Sequence, residues 1–81
     1  MNKYSAMTQW LSQLPTTREA ASFRFIEELI GSDLPPSARK YRPWWGNQLK
    51  SGGRQCTAWL KAGWRVETID LIGETAVFIR S

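Results

Sequence analysis

Apolar residues recur at helical spacing near the start of the chain. Within YSAMTQWLSQL (4–14), Met7, Trp10, Leu11 and Leu14 stand at i, i+3, i+4 and i+7. That spacing puts all four on one face of a helix, and Pro15 stops it. The polar TTREAAS then leads into Phe23-Arg24-Phe25. The alternation there predicts a short half-buried strand near residues 22–25. In FIEELIG, Ile26, Leu29 and Ile30 turn to one side and Glu27 and Glu28 to the other, a second short helix with Gly31 as its C-cap.

The middle of the chain is less regular. Pro36 suits the first turn of a helix that SARKY continues, and Pro43 limits its length. Trp44 and Trp45 are adjacent, so they cannot both face one side; one is expected in the core and the other partly exposed. KSGG is a loop, followed by a helix over 53–62. Cys56, Trp59 and Leu60 form its apolar face, Arg54, Gln55, Thr57, Ala58 and Lys61 its outer face, and Gly63 its C-cap. WRVETIDL and TAVFIRS, parted by IGE, predict a β-hairpin over 64–81. Residues 1–15, 22–63 and 64–81 therefore read as an N-terminal helix, a strand with helices, and a hairpin wing. The expected fold is α+β and winged helix-turn-helix-like. Its helices precede a C-terminal β-hairpin, with which the short third strand near residues 22–25 pairs.

At 81 residues the chain has material for one core, hence a single domain. A hydrophobic fraction of 42% and a charged fraction of 22% suit a globular protein. One cysteine excludes an internal disulfide and fits a reducing compartment. Neither a signal-peptide pattern nor a run of about 20 apolar residues is present, so the expected location is the cytoplasm.

Charge changes the picture more. The formal net charge is +4, yet residues 34–66 carry Arg39, Lys40, Arg42, Lys50, Arg54, Lys61 and Arg65 without a single acid. Acids outnumber bases by one before this segment and by two after it. A concentrated positive segment attracts polyanions, although a solvated basic face without a partner would read the same way. Four of the five tryptophans lie in the same segment.

Catalysis is not expected. The chain has no histidine, the usual general base and metal ligand. Cys56 reads as a packed small hydrophobe, and the seven carboxylates are scattered. Gly52-Gly53 before a helix would suit one phosphate but lacks a complete P-loop pattern. No cofactor or metal is expected.

Several motifs stand together: L-P-P-S-A-R (34–39), Trp44-Trp45 with Asn47, A-W-L-x-A-G-W (58–64) and a closing F-x-R (78–80). With Phe23 to Leu29, they resemble a widespread family of small bacterial domains of unknown function. The resemblance covers nearly the whole chain. Members often carry an Asn-Asp pair followed by Ser-Gln where this sequence has Asn47-Gln48 and, further on, Arg54-Gln55. The resemblance implies no mechanism.

The residues themselves favour nucleic-acid binding by the helix at 53–62. Arg54, Gln55 and Thr57 are types that address base edges in the major groove, Arg toward guanine and Gln toward adenine. Lys50, Ser51, Gly52 and Lys61 suit the phosphate backbone, joined by Arg39, Lys40 and Arg42. Asn47 either joins this surface or holds the loop that follows it. Trp44 and Trp45 are candidate stacking residues, while Trp10, Trp59 and Trp64 belong to the core. The expected partner is double-stranded DNA, and the expected role a transcriptional regulator or mobile-element accessory factor. The alternative is a protein-interaction module or inhibitor that binds an acidic protein surface. RNA is a third candidate, and a homodimer through Tyr4, Met7 or Leu11 is conceivable on a palindromic site.

Overall fold

The computed structural model describes residues 4–47 and 55–81. In chain order its elements are helix α1 (Ser5–Gln13), strand β1 (Arg18–Ser22), helix α2 (Phe23–Ile30), helix α3 (Pro36–Lys40), a 3₁₀ turn (Arg42–Trp45), helix α4 (Cys56–Leu60) and strands β2 (Trp64–Asp70) and β3 (Thr75–Arg80). The class is α+β. The three strands form one antiparallel sheet in the order β1-β3-β2.

The N-terminal helix buries Met7 and Leu11 as its spacing predicts, and α2 buries Phe23, Ile26 and Ile30. Gly31 closes α2 in the left-handed region at φ 75°, and Gly63 follows α4 at φ 82°. Glycine enters that region without the steric cost of a Cβ. No helix of the described residues is long and apolar enough to cross a membrane.

The third strand lies elsewhere than expected. Phe23-Arg24-Phe25 opens α2 rather than forming a strand near residues 22–25, and β1 occupies the preceding Arg18–Ser22. Ser22 decides the boundary: its side chain accepts a hydrogen bond from the Phe25 N–H at 3.0 Å, capping the helix. Glu74 at the hairpin turn supplies a second cap, its carbonyl accepting from the Phe23 N–H at 2.8 Å. The strand itself comes from pairing, Arg18 opposite Ile79 through to Ser22 opposite Thr75.

The hairpin lies within the expected span, with one irregularity. The register slips between Val66 and Thr68. Trp64 and Val66 face the core before the slip and Ile69 after it. An extra residue re-aims the side chains beyond a bulge, which lets a strand whose apolar positions break strict alternation keep all three buried.

The core is built largely of aromatic rings. Trp45 lies almost parallel to Phe23 on one side and to Trp59 on the other, with centroids 5.1 and 5.9 Å away. Phe78 from the central strand meets Trp59 at 5.7 Å. Trp59, Trp64, Phe23 and Phe78 are almost wholly buried. Rings of this size each remove on the order of 150–250 Å² from water, which suits a domain too small for a broad aliphatic core.

The N-terminal helix has no free face for dimerisation through Met7 or Leu11. Both are buried within the chain, where α1 packs across α2 and α4. Replacing the α2 cap by Ser22→Ala should cost about 1 kcal/mol, read as a lower midpoint in urea denaturation with an unchanged slope.

Candidate nucleic-acid interface

The residues predicted to touch nucleic acid divide into three groups. Lys50, Ser51, Gly52 and Arg54 lie outside the described residues. Arg39, Asn47, Gln55 and Trp45 have partners inside the fold. Lys40, Arg42, Thr57, Lys61 and Trp44 reach the surface to different degrees.

Arg39 is part of an ion triad. Its guanidinium meets Glu27 Oε2 at 2.6 Å and Glu74 Oε2 at 2.6 Å, and it sits 5.7 Å from the centre of the Phe23 ring. Glu27 also accepts the Leu34 N–H at 2.8 Å. That backbone bond, with the Arg39 guanidinium beside it, holds the Glu27 carboxyl below its ordinary value of 4.5. The same two carboxylates push Arg39 upward. One cation thereby joins α2, α3 and the turn of the hairpin, and its charge is compensated where it stands.

Asn47 is spent in a different way. Its Nδ2 donates to the Val66 carbonyl at 3.0 Å, and its Oδ1 accepts from the Val66 N–H at 2.9 Å. This reproduces one rung of a strand pairing on the outer edge of β2. The same Oδ1 accepts the Trp59 indole N–H at 2.9 Å. Further along that edge, an Arg42 guanidinium nitrogen donates to the Ile69 carbonyl.

Of the predicted outer face of α4, Ala58 is buried and its carbonyl accepts from the Thr8 hydroxyl of α1 at 2.8 Å. Thr57 is half-buried beside Tyr4, Thr8 and Lys61. Gln55 donates to the Trp44 carbonyl at 2.9 Å. The helical face expected to be open is covered because α1 packs over it. Lys61, just past the helix, remains exposed. Cys56 is buried at 1% exposure, and desolvation pushes its thiol up and keeps it protonated.

The two adjacent tryptophans separate. Trp45 is buried, its indole N–H donating to the Ala38 carbonyl at 2.8 Å, so it offers no stacking face. Trp44 is half-buried, edge-on to Trp45 at 4.7 Å and to Tyr4 at 6.4 Å.

What remains at the surface has a common character. Lys40, Arg42, Lys61 and Arg65 are exposed and none forms an ion pair among the described residues. All four lie in the acid-free segment. The described arginines outside it are engaged: Arg18 with Glu67, Arg24 with Glu28, and Arg80 with the Leu14 and Thr16 carbonyls and the Trp64 ring. Between the 3₁₀ turn and β2 opens a groove of about 330 Å³ lined by Arg42, Trp45, Gly46 and residues 66–69. Two surface residues, Tyr41 and Arg65, escaped the sequence-based selection. The signal for Arg65 was its place in the alternating WRVE run, where it must point away from buried Trp64 and Val66.

Asn47→Ala should destabilise the protein by about 2–3 kcal/mol, because it strands both polar groups of Val66 and the Trp59 indole. Urea denaturation followed by tryptophan fluorescence measures this. Glu27 has a depressed folded-state pKa, so its stabilising contribution is present above the ordinary carboxylate value and lost as pH falls through the folded one. Thermal midpoints should therefore fall on acidification below about 4.5, and Glu27→Gln should flatten that dependence while lowering stability near neutral pH.

No curated protein and no solved structure is detectably similar to this chain. A family profile covers residues 4–81, which takes in every element described above. The chain belongs to the family described as Domain of unknown function (DUF7662).

Proposed function

We propose that this protein is a small double-stranded-DNA-binding protein of winged helix-turn-helix organisation, serving as a transcriptional regulator or mobile-element accessory factor. The observation that carries the reading is the set of four exposed cations, Lys40, Arg42, Lys61 and Arg65, left without carboxylate partners while other described basic residues are paired or bound to carbonyls. Engaging the other described arginines while leaving these four cations of the acid-free segment without a carboxylate suits a polyanion. The order of elements, with the first strand beside the last in the sequence β1-β3-β2, is consistent with a winged helix.

Contact in this reading is dominated by phosphate. The described part of α4 is five residues long, buries Cys56, Ala58 and Trp59, and commits Gln55 to a carbonyl. Little of it is left for reading base edges, whereas exposed Lys and Arg position a duplex through its backbone. The hairpin turn carries Asp70 and Glu74 around Ile72, a poor fit to phosphate.

A second reading, a protein-interaction module or inhibitor that binds an acidic protein surface, draws on that turn. Ile72 is 99% exposed there, an apolar tip suited to a protein pocket.

Fluorescence anisotropy with duplex DNA separates the two. The logarithm of affinity should fall linearly with the logarithm of salt, and Lys61→Ala should weaken binding equally on all sequences and lower the slope by about 1. Gln55→Ala should reduce stability and leave base preference unchanged. Absence of duplex binding at low salt would refute the DNA reading.

A further inference from the structure

We propose that Tyr41 is a stacking platform for an unpaired base, with Lys40 and Arg42 holding the phosphates on either side of it. This rests on the nucleic-acid reading above and names the part of the nucleic acid that this face takes: a nucleotide extruded from, or unpaired beside, a duplex.

Three observations support the placement. Tyr41 is 60% exposed, the most open aromatic among the described residues. The other exposed ring, Phe25 at 38%, packs on Trp10 at 5.0 Å. Tyr41 enters no aromatic or cation–π contact of the described residues. With Trp45 sealed in the core and Trp44 packed edge-on, it is the ring left to stack.

Its backbone is fixed although its ring is free. The Tyr41 N–H donates to the Ser37 carbonyl at 2.8 Å, closing α3, and its carbonyl accepts from the Trp44 N–H at 2.9 Å, opening the 3₁₀ turn. Between those two helical segments the residue is extended, with φ −125° and ψ 98°. A single extended residue between two tight turns projects its side chain outward from a held root. A ligand that stacks on it therefore has only the two side-chain torsions of Tyr41 to order.

The cations on either side complete the chemistry. Lys40 is exposed without an ion-pair partner among the described residues, and Arg42 is tethered by one nitrogen to the Ile69 carbonyl, leaving its other donors for a phosphate. A base inside a duplex has both faces covered by its neighbours, so a protein ring stacks on one only after it leaves the helix. Aromatic stacking also tolerates any base, because each has a π-face.

Anisotropy with three labelled oligonucleotides tests this: a fully paired duplex, the same duplex with one extra unpaired nucleotide, and that duplex with the extra nucleotide made abasic. The wild-type protein should bind the unpaired-base duplex about tenfold more tightly than the other two. Tyr41→Phe should keep the gain. Tyr41→Ala should erase it and leave affinity for the paired duplex unchanged, with an unaltered circular dichroism spectrum. Equal wild-type binding to all three, or a gain that survives Tyr41→Ala, overturns the Tyr41 assignment while duplex binding stands. Binding to none of the three overturns both.

Discussion

The side-chain amide of Asn47 is the joint on which the two layers of this domain depend. It closes the outer edge of β2 at Val66 and holds the indole of Trp59 with the same oxygen. Trp59 continues the stack of Phe23 and Trp45 toward Phe78, so that one acceptor fixes a central ring of the core. An indole buried without an acceptor, or a strand edge facing protein without a partner, would each cost about 1–3 kcal/mol. Among the described residues no buried side-chain nitrogen or oxygen lacks a partner. In a domain of this size that completeness matters, since its whole stability is on the order of 5–10 kcal/mol.

Charge is arranged around this core with a division of labour. Glu27 and Glu74 are consumed by Arg39, which fixes the hairpin turn against α2 and α3. Glu74 occupies the left-handed region at φ 53°, unusual for a side chain other than glycine. Its carbonyl on the Phe23 N–H and its carboxylate on Arg39 hold it there. Carboxylates committed to Arg39 in this way form no ion pair with Lys40, Arg42, Lys61 or Arg65. The proposed binding face and the Arg39 ion triad are thus two outcomes of one distribution of acids.

Much of the fold was legible because strong local signals agreed with the tertiary structure. The helical spacing of Met7 and Leu11, the Gly31 cap, and the β-branched and aromatic runs of the hairpin required no knowledge of distant partners, whereas α4 is capped at Lys61, two residues before the expected Gly63. Strand β1 was missed for a physical reason. Its sequence, REAAS, has only alanine as an apolar residue, so no alternation marks it, and its extended form is imposed by β3. The site was harder to read. Arg39 looked free because its carboxylates lie 12 and 35 residues away in the chain. Ala58 looked exposed because nothing local announces that α1 crosses α4.

The motifs that marked the family resemblance fall on interior contacts. Leu34, Ala38, Trp45, Trp59, Trp64 and Phe78 are buried, and Arg80 ties the last strand to the Leu14 and Thr16 carbonyls. They specify how the domain folds, and the cations of the proposed binding face stand at solvent-facing positions between them. The stoppered edge of β2 has one more consequence. Asn47 and Arg42 occupy that side of the sheet, whereas β1 on the opposite side has no outer backbone partner among the described residues. A sheet with one closed margin can join a copy of itself only across the other. Strand-to-strand pairing of that kind would close at a symmetric pair, with the covered margins facing outward.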